Sequence, residues 1–162
     1  MTALLDIVAV KGAAAGLLAR LHAASFSRPG DETWSLQAFA DVLKMPGSFC
    51  LLAQVPAPEG PEPIGFCACR VTGPVSELLS IGVVPDQRRR GTARRMIAQS
   101  IERCRRSGAT EMFLEVAEDN PRAQQLYRSF GFQQVGRRRG YYIRLNDRKV
   151  DALTMRLDLS AA

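Results

Sequence analysis

The sequence predicts a mixed α/β fold in which a mostly antiparallel sheet is flanked by helices. Three observations carry that prediction. Apolar runs of strand length at 48–55, 64–71 and 76–84 are separated only by a proline-rich loop and a Gly-Pro turn, the spacing expected of antiparallel neighbours. Beyond them, 91–107 and 120–131 carry apolar residues at helical intervals and are each followed by a further strand-like run. Finally, 162 residues with 46% hydrophobic and 23% charged side chains suit one domain spanning 1–162, with no repeat and no linker long enough to divide it.

The elements follow in order. A short strand at 5–10 leads into a helix at 13–24, and Ser35 opens a second helix with Leu36, Phe39, Ala40 and Leu43 on one face. The strands at 48–55 and 64–71 flank the loop Pro56-Ala57-Pro58-Glu59-Gly60-Pro61-Glu62-Pro63, and Gly73-Pro74 introduces the strand at 76–84. The helix at 91–107 gathers Ala93, Met96, Ile97, Ser100, Ile101 and Cys104 on one stripe, with arginines largely opposite. After a strand at 110–116, Asn120-Pro121 supplies an N-cap and a proline at the first helical position, and Gly131 ends that helix. Strands at 132–139 and 150–157 complete the order βαα-βββ-α-β-α-ββ.

Composition narrows the chemistry. The single histidine, His22, leaves no multi-histidine metal site and one candidate for a histidine-activated nucleophile; in its Ala/Leu-rich helix it reads as a partly exposed or capping residue. No metal is expected. Cys50, Cys67, Cys69 and Cys104 form no CxxC pair, and Cys67 and Cys69 share a strand face without bridging, which fits a reducing cytoplasm. Trp34 and Phe39 read as core or substrate-rim aromatics. No apolar run approaches the roughly 18 residues of a membrane span, and Asp6 and Lys11 interrupt the only stretch that imitates a signal peptide. Residues 1–80 hold 5 Lys/Arg against 7 Asp/Glu while 81–162 hold 17 against 9, so the second half carries +8 and suits a polyanionic ligand. Ribosomal RNA or a small molecule bearing several phosphates would satisfy it, but no aromatic-basic RNA-binding signature appears and direct nucleic-acid binding is not expected.

Two segments carry candidate chemistry. In Val83-Val84-Pro85-Asp86-Gln87-Arg88-Arg89-Arg90-Gly91-Thr92-Ala93 a strand passes through a basic turn into a helix. The unpaired N–H groups at such a helix start can cradle phosphate, with Gly91 clearing the approach and Arg88, Arg89 and Arg90 adding attraction. An ordinary strand-helix turn with solvated arginines is the alternative. Neither a P-loop nor a GxGxxG fingerprint is present, which removes support for nucleotide hydrolysis and dinucleotide redox chemistry. In the second segment, Glu115 ends a strand that should be central, where partial burial would poise it to accept a proton. A rim carboxylate paired with an arginine is the plainer reading. Tyr127 lies on the apolar stripe of its helix, where a core tyrosine is the plainer reading.

The run from Arg88 to Ala93, the strand-loop-helix Phe113-Leu114-Glu115-Val116-Ala117-Glu118-Asp119-Asn120-Pro121, the signature Leu126-Tyr127-Arg128-Ser129-Phe130-Gly131-Phe132 and the strand Asp151-Ala152-Leu153-Thr154-Met155-Arg156-Leu157 together resemble the GNAT acetyltransferases. Within that superfamily they are most similar to the bacterial ribosomal-protein alanine N-acetyltransferases, over about residues 35–158. The resemblance implies a GNAT fold with a splayed parallel strand pair and transfer of acetyl from acetyl-CoA to a protein N-terminus, the alanine of a ribosomal small-subunit protein. It implies Glu115 as base and Tyr127 as acid, in direct attack within a ternary complex. Ile81, Val83, Arg88, Arg89, Arg90, Gly91, Thr92, Ala93 and Asn120 would hold the cosubstrate, and Tyr141 and Tyr142 would lie on a loop facing the acceptor peptide. The pair is followed by Ile143 where the nearest relatives carry proline. A lysine side chain or small amine is the alternative acceptor, since Glu118 and Asp119 could attract any cation; a non-catalytic coenzyme A sensor is the alternative to an enzyme.

Overall fold

The computed structural model describes residues 4–160; residues 1–3 and 161–162, the ends of the expected 1–162 unit, lie outside the described residues. The expected element order is reproduced. The strands are β1 (Asp6–Val10), β2 (Ser48–Val55), β3 (Glu62–Thr72), β4 (Val75–Val83), β5 (Glu111–Ala117), β6 (Gln133–Ile143) and β7 (Lys149–Asp158). The helices are α1 (Ala15–Ser25), α2 (Leu36–Lys44), α3 (Thr92–Arg106) and α4 (Pro121–Ser129), with single 3-10 turns before α1, after β4 and between β6 and β7.

All seven strands form one sheet in the order β1-β2-β3-β4-β5-β7-β6. Every neighbouring pair is antiparallel except β4 and β5, whose connection through α3 returns the chain in parallel. Both faces of the centre are covered, so β2 reads as a continuous apolar run and still sorts by period two. Phe49, Leu51 and Ala53 pack with Met96, Ile97 and Ile101 of α3, while Cys50 and Leu52 pack with Leu18, Leu21 and Phe39 of the first two helices. The same alternation puts Cys67 and Cys69 on the α3 face, where all four cysteines of the chain, counting Cys50 opposite, are buried and unbridged. Among the described residues no helix is long and apolar enough to cross a membrane.

The capping signals act as expected: the Ser35 hydroxyl accepts from Ala38 N at 3.1 Å and the Asn120 amide oxygen from Ala123 N at 3.2 Å. Two expectations are corrected. The segment 140–143, read as a loop, continues β6: the register slips between Arg138 and Tyr142, and Asp151 takes up the slack by accepting from Gly140 N at 2.8 Å, after which Tyr142 and Ile143 pair again with β7. His22 is neither exposed nor a cap. It is 2% exposed, stacked on Phe26 at 4.4 Å between ring centroids, and packed against Trp34, Phe39 and Phe66, so those aromatics are core. Its Nδ1 accepts from Trp34 N at 3.3 Å, which requires the neutral ring.

Burial pushes the His22 pKa down to about 4 against the opposing pull of Asp31. Between that value and the ordinary value of 6.5 the unfolded chain binds a proton that the folded chain refuses. The folded state is therefore fully favoured above pH 6.5 and loses up to about 2–3 kcal/mol as pH falls toward 4. Urea midpoints measured across that range should fall for the native chain and flatten for His22→Gln, and equal slopes for the two would show that His22 is not the responsible group.

Candidate active site

The central feature is a gap in the sheet. β4 and β5 pair only through Val75 with Glu111, Ser76 with Met112 and Glu77 with Phe113, after which both strands continue without pairing to each other. A bulge explains where they part: Ala68 of β3 faces Ser80 and Cys69 faces Leu78, so Leu79 is the extra residue and bends β4 just after its last partner on β5.

The edges of this gap carry backbone groups turned into it, although Val83 O is taken by Arg88 and Ala117 O by Asn120 and Gln124. Val84 N donates to Ile64 O at 2.9 Å, and the alternation of an antiparallel ladder then turns the N–H and C=O of Ile81 and Val83 away from β3, toward β5. Across the gap, Glu118 N donates to Asp151 O at 2.9 Å, so by the same rule the backbone of Glu115 and Ala117 faces β4. The predicted residues Ile81, Val83 and Glu115 thus line one opening.

Glu115 and Tyr127 approach that opening from opposite sides of the sheet. Leu114 and Val116 pack in the α3-side core together with Tyr127, so Glu115, between them on β5, projects to the side of α1 and α2. Beyond Glu77 and Phe113 no backbone ladder closes the sheet between those two faces. Burial pushes the Tyr127 phenol well above its ordinary pKa, so it holds its proton at neutral pH. The Glu115 carboxylate is partly buried and bound by Arg138, Nε to Oε1 2.9 Å. Tyr142 stands near both: its phenol is raised first by burial and then by the charge of Glu115, and it contributes in turn to the shift at Tyr127. Tyr141, by contrast, is 54% exposed, with Arg138 over its ring at 5.5 Å.

At the far end of β4 the turn into α3 is open. Gly91 caps α3 at φ +81, a backbone conformation that glycine adopts without strain, and a Cβ there would meet nothing within 4 Å. No side chain caps the helix, so the N–H groups of Gly91, Thr92 and Ala93 are placed to receive an anion. Thr92 is buried and offers only its backbone. Arg89, at φ +65, and Arg90 are exposed beside this turn. Arg88 departs from expectation: its Nε donates to Val83 O at 2.9 Å and its Nη2 to Ser25 O at 2.7 Å, tying α1 to the end of β4.

Asn120 is an N-cap as well as a neighbour of the opening, and sequence reasoning missed what anchors it. Gln124, 8% exposed, donates from Nε2 to Ala117 O and Glu118 O, both at 3.0 Å, and so bolts α4 to the end of β5. A polar residue inside the apolar stripe one turn before Tyr127 was the available signal. Arg138 gave none, since nothing in the arginine triplet distinguished it. The expectation that Glu118 and Asp119 attract an incoming cation is corrected: Arg137 holds Glu118 at 2.9 Å, and Arg144 and Arg148 hold Asp119 at 2.8 and 3.0 Å. Among the described residues no group of three or more potential metal ligands occurs.

Comparison with known proteins gives concordant matches. The family model described as the Acetyltransferase (GNAT) family matches residues 17–132. The N-alpha-acetyltransferase RimI of Mycobacterium tuberculosis is 36% identical over 133 residues, covering 80% of this chain and 78% of that protein. The ribosomal protein bS18-alanine N-acetyltransferase of Escherichia coli is 34% identical over 95 residues, 59% of this chain and 64% of that protein, so that match spans just under two thirds of the relative. The crystal structure of the latter type of enzyme from Escherichia coli superposes with a TM-score of 0.84 at 24% identity, over 98% of this chain and 96% of the other. Arabidopsis thaliana NAA60, solved with acetyl-CoA, gives 0.83 at 19% identity over 98% and 100%. These structural likenesses establish the fold.

The bonding of the basic turn separates its arginines. Arg88→Ala removes charge-assisted bonds to two carbonyls and should lower folding stability by about 1.5–3 kcal/mol, read from denaturant midpoints. Arg89→Ala and Arg90→Ala should leave stability within about 0.5 kcal/mol and weaken only binding of a phosphate-bearing ligand. Equal stability losses at all three positions would contradict this division.

Proposed function

Because the chain belongs to the GNAT acetyltransferase family, we propose that it transfers acetyl from acetyl-CoA to the N-terminal α-amine of a protein in the cytoplasm, the alanine of a ribosomal small-subunit protein. The observation that carries the proposal is the gap between β4 and β5, which Glu115 adjoins from one face of the sheet while Tyr127 packs on the other. The relatives named above, whose names specify N-alpha or N-terminal alanine acetylation, support the choice of acceptor. Four unbridged cysteines suit a reducing compartment.

The residues present fit the cosubstrate. The uncapped start of α3 and the unobstructed space at Gly91 suit its phosphates, and the backbone of Ile81 and the N–H of Val83, turned into the gap, suit the amides of its pantetheine arm. When bound, acetyl-CoA supplies an acetyl group on a thioester carbon and a thiolate leaving group. N–H groups on the β4 edge polarise the thioester carbonyl and stabilise its developing negative charge. Glu115 takes a proton from the acceptor ammonium, freeing the nitrogen lone pair that forms the new C–N bond. Tyr127, kept protonated by burial, gives its proton to the sulfur as the C–S bond breaks, and the second proton lost by the attacking nitrogen on becoming an amide restores the phenol. Attack is direct. Cys50 is pushed up to about 12 by burial, Cys69 is raised in the same way, and His22 lies in the aromatic cluster, so none of them is placed as a covalent carrier.

Glu115→Gln and Tyr127→Phe should each slow turnover by about 10²–10⁴-fold while acetyl-CoA affinity changes by less than about threefold. Mass detection on a panel of a free N-terminal Ala peptide, a free N-terminal Ser peptide, an N-blocked lysine peptide and a polyamine should show acetylation of the Ala terminus. Modification of the lysine peptide or polyamine alone would overturn the acceptor assignment, and undiminished turnover in Glu115→Gln would overturn the base.

A further inference from the structure

Three separate segments meet at one guanidinium on the acceptor side of the gap. Arg144 follows Tyr142 at the end of β6 and holds Asp119, in the loop that carries Asn120, through two bonds of 3.1 and 2.8 Å. Its Nη1 lies 3.7 Å from Asp31 in the connection between α1 and α2. Its guanidinium also covers the Tyr142 ring at 5.2 Å from the centroid. The contact extends to the backbone: a Cβ on Gly30, at φ +88, would lie 3.0 Å from Leu145 N, so the two loops touch at a point where only glycine fits. Arg148 adds a second cation to Asp119, and Asp31 folds its own loop by accepting from Arg28 N at 3.0 Å. Together the segments wall a cavity of about 240 Å³.

This arrangement is costly to assemble from surface side chains unless the ordering serves something. Planar bidentate pairing fixes Arg144 more firmly than a single ion contact would, and its side chain is only 20% exposed. Fixing it fixes the Tyr142 ring that its guanidinium covers, and Tyr142 feels the charge of Glu115. The α1–α2 connection, the β5–α4 loop and the β6–β7 turn thereby become one rigid rim.

We infer that Arg144 is a positioning residue that locks these three segments into the mouth through which the acceptor polypeptide reaches Glu115, setting its width for residues beyond the first. The inference rests on the proposed acceptor reaction at Glu115 and adds what shapes the acceptor path.

Steady-state kinetics of Arg144→Gln and Arg144→Lys with a free N-terminal Ala peptide and with alanine amide test it. Arg144→Gln should raise the peptide KM about tenfold, more than it lowers kcat, while the KM for alanine amide changes less than about twofold. Acetyl-CoA affinity should stay at the native value. Arg144→Lys, which keeps the charge but not the fork, should recover part of the peptide KM. An unchanged peptide KM, or parallel losses with both acceptors and with acetyl-CoA, would overturn the positioning role. Glu115→Gln run alongside separates the two claims: full activity there would sink the reading of the site itself, whatever Arg144 does.

Discussion

The early end of the β4–β5 pairing is the constraint on which the rest depends. A sheet that stayed closed would put Glu115 and Tyr127 on opposite faces with a backbone ladder between them. The bulge at Leu79 opens it by a single extra residue, and it also inverts the faces of β4. Leu78 and Val83, five positions apart, end on the same α3-side core, while Leu79 packs toward α1. An unbroken strand could not place them so, because its side chains alternate with period two. The same inversion turns the backbone of Ile81 and Val83 into the gap. One local irregularity thus supplies both the opening and the polar groups that line it.

The basic second half shows how charge in a sequence differs from charge in a structure. A surplus of arginine reads as attraction for a polyanion, and at Arg89 and Arg90 the side chains do stand exposed beside an uncapped helix start. Elsewhere, several of these arginines pair with carboxylates of the same half, which leaves the net +8 unchanged. Arg137 bridges Glu118 and Asp151, Arg138 holds Glu115, Arg144 and Arg148 hold Asp119, and Arg156 holds Glu111. Exposed pairs of this kind contribute little stability singly. Their effect is to set the direction of carboxylates along the last three strands.

What the sequence revealed and what it hid divide along a physical line. Ser35 and Asn120 announced their helices because a cap acts on its own neighbours three residues away. The strands before α3 were legible for the same reason, since alternation and turn residues are local. The motif residues of the turn into α3 and of α4 were singled out through family resemblance. Three features escaped because their partners are distant in the chain. Arg88 looks like a phosphate ligand until Ser25, 63 residues away, is seen to accept its bond. His22 looks solvated until Trp34, Phe39 and Phe66 close around it. The continuation of β6 past Gly140 depends on Asp151, in the opposite strand.

The two sides of the gap are built from different materials, and this bears on how such a site can keep its chemistry while its acceptor varies. The proposed donor side rests on the fold itself: strand edges, a helix start and a tyrosine buried in the core. Replacing surface residues leaves those groups where they are, because the fold itself holds them. The acceptor side is made of loops, and its shape comes from side-chain pairs among Asp31, Asp119, Arg144 and Arg148. Exchange of one such pair alters the rim without disturbing the sheet. Ile143, standing between Tyr142 and Arg144, belongs to this second category: it pairs with Lys149 on an edge strand, and because Arg144 N donates to Arg148 O its own N–H faces away from β7. The next side chain, Arg144, is delivered to Asp119. Ile143 and the Arg144 junction therefore adjoin in one rim, beside the proposed reaction machinery held by the sheet.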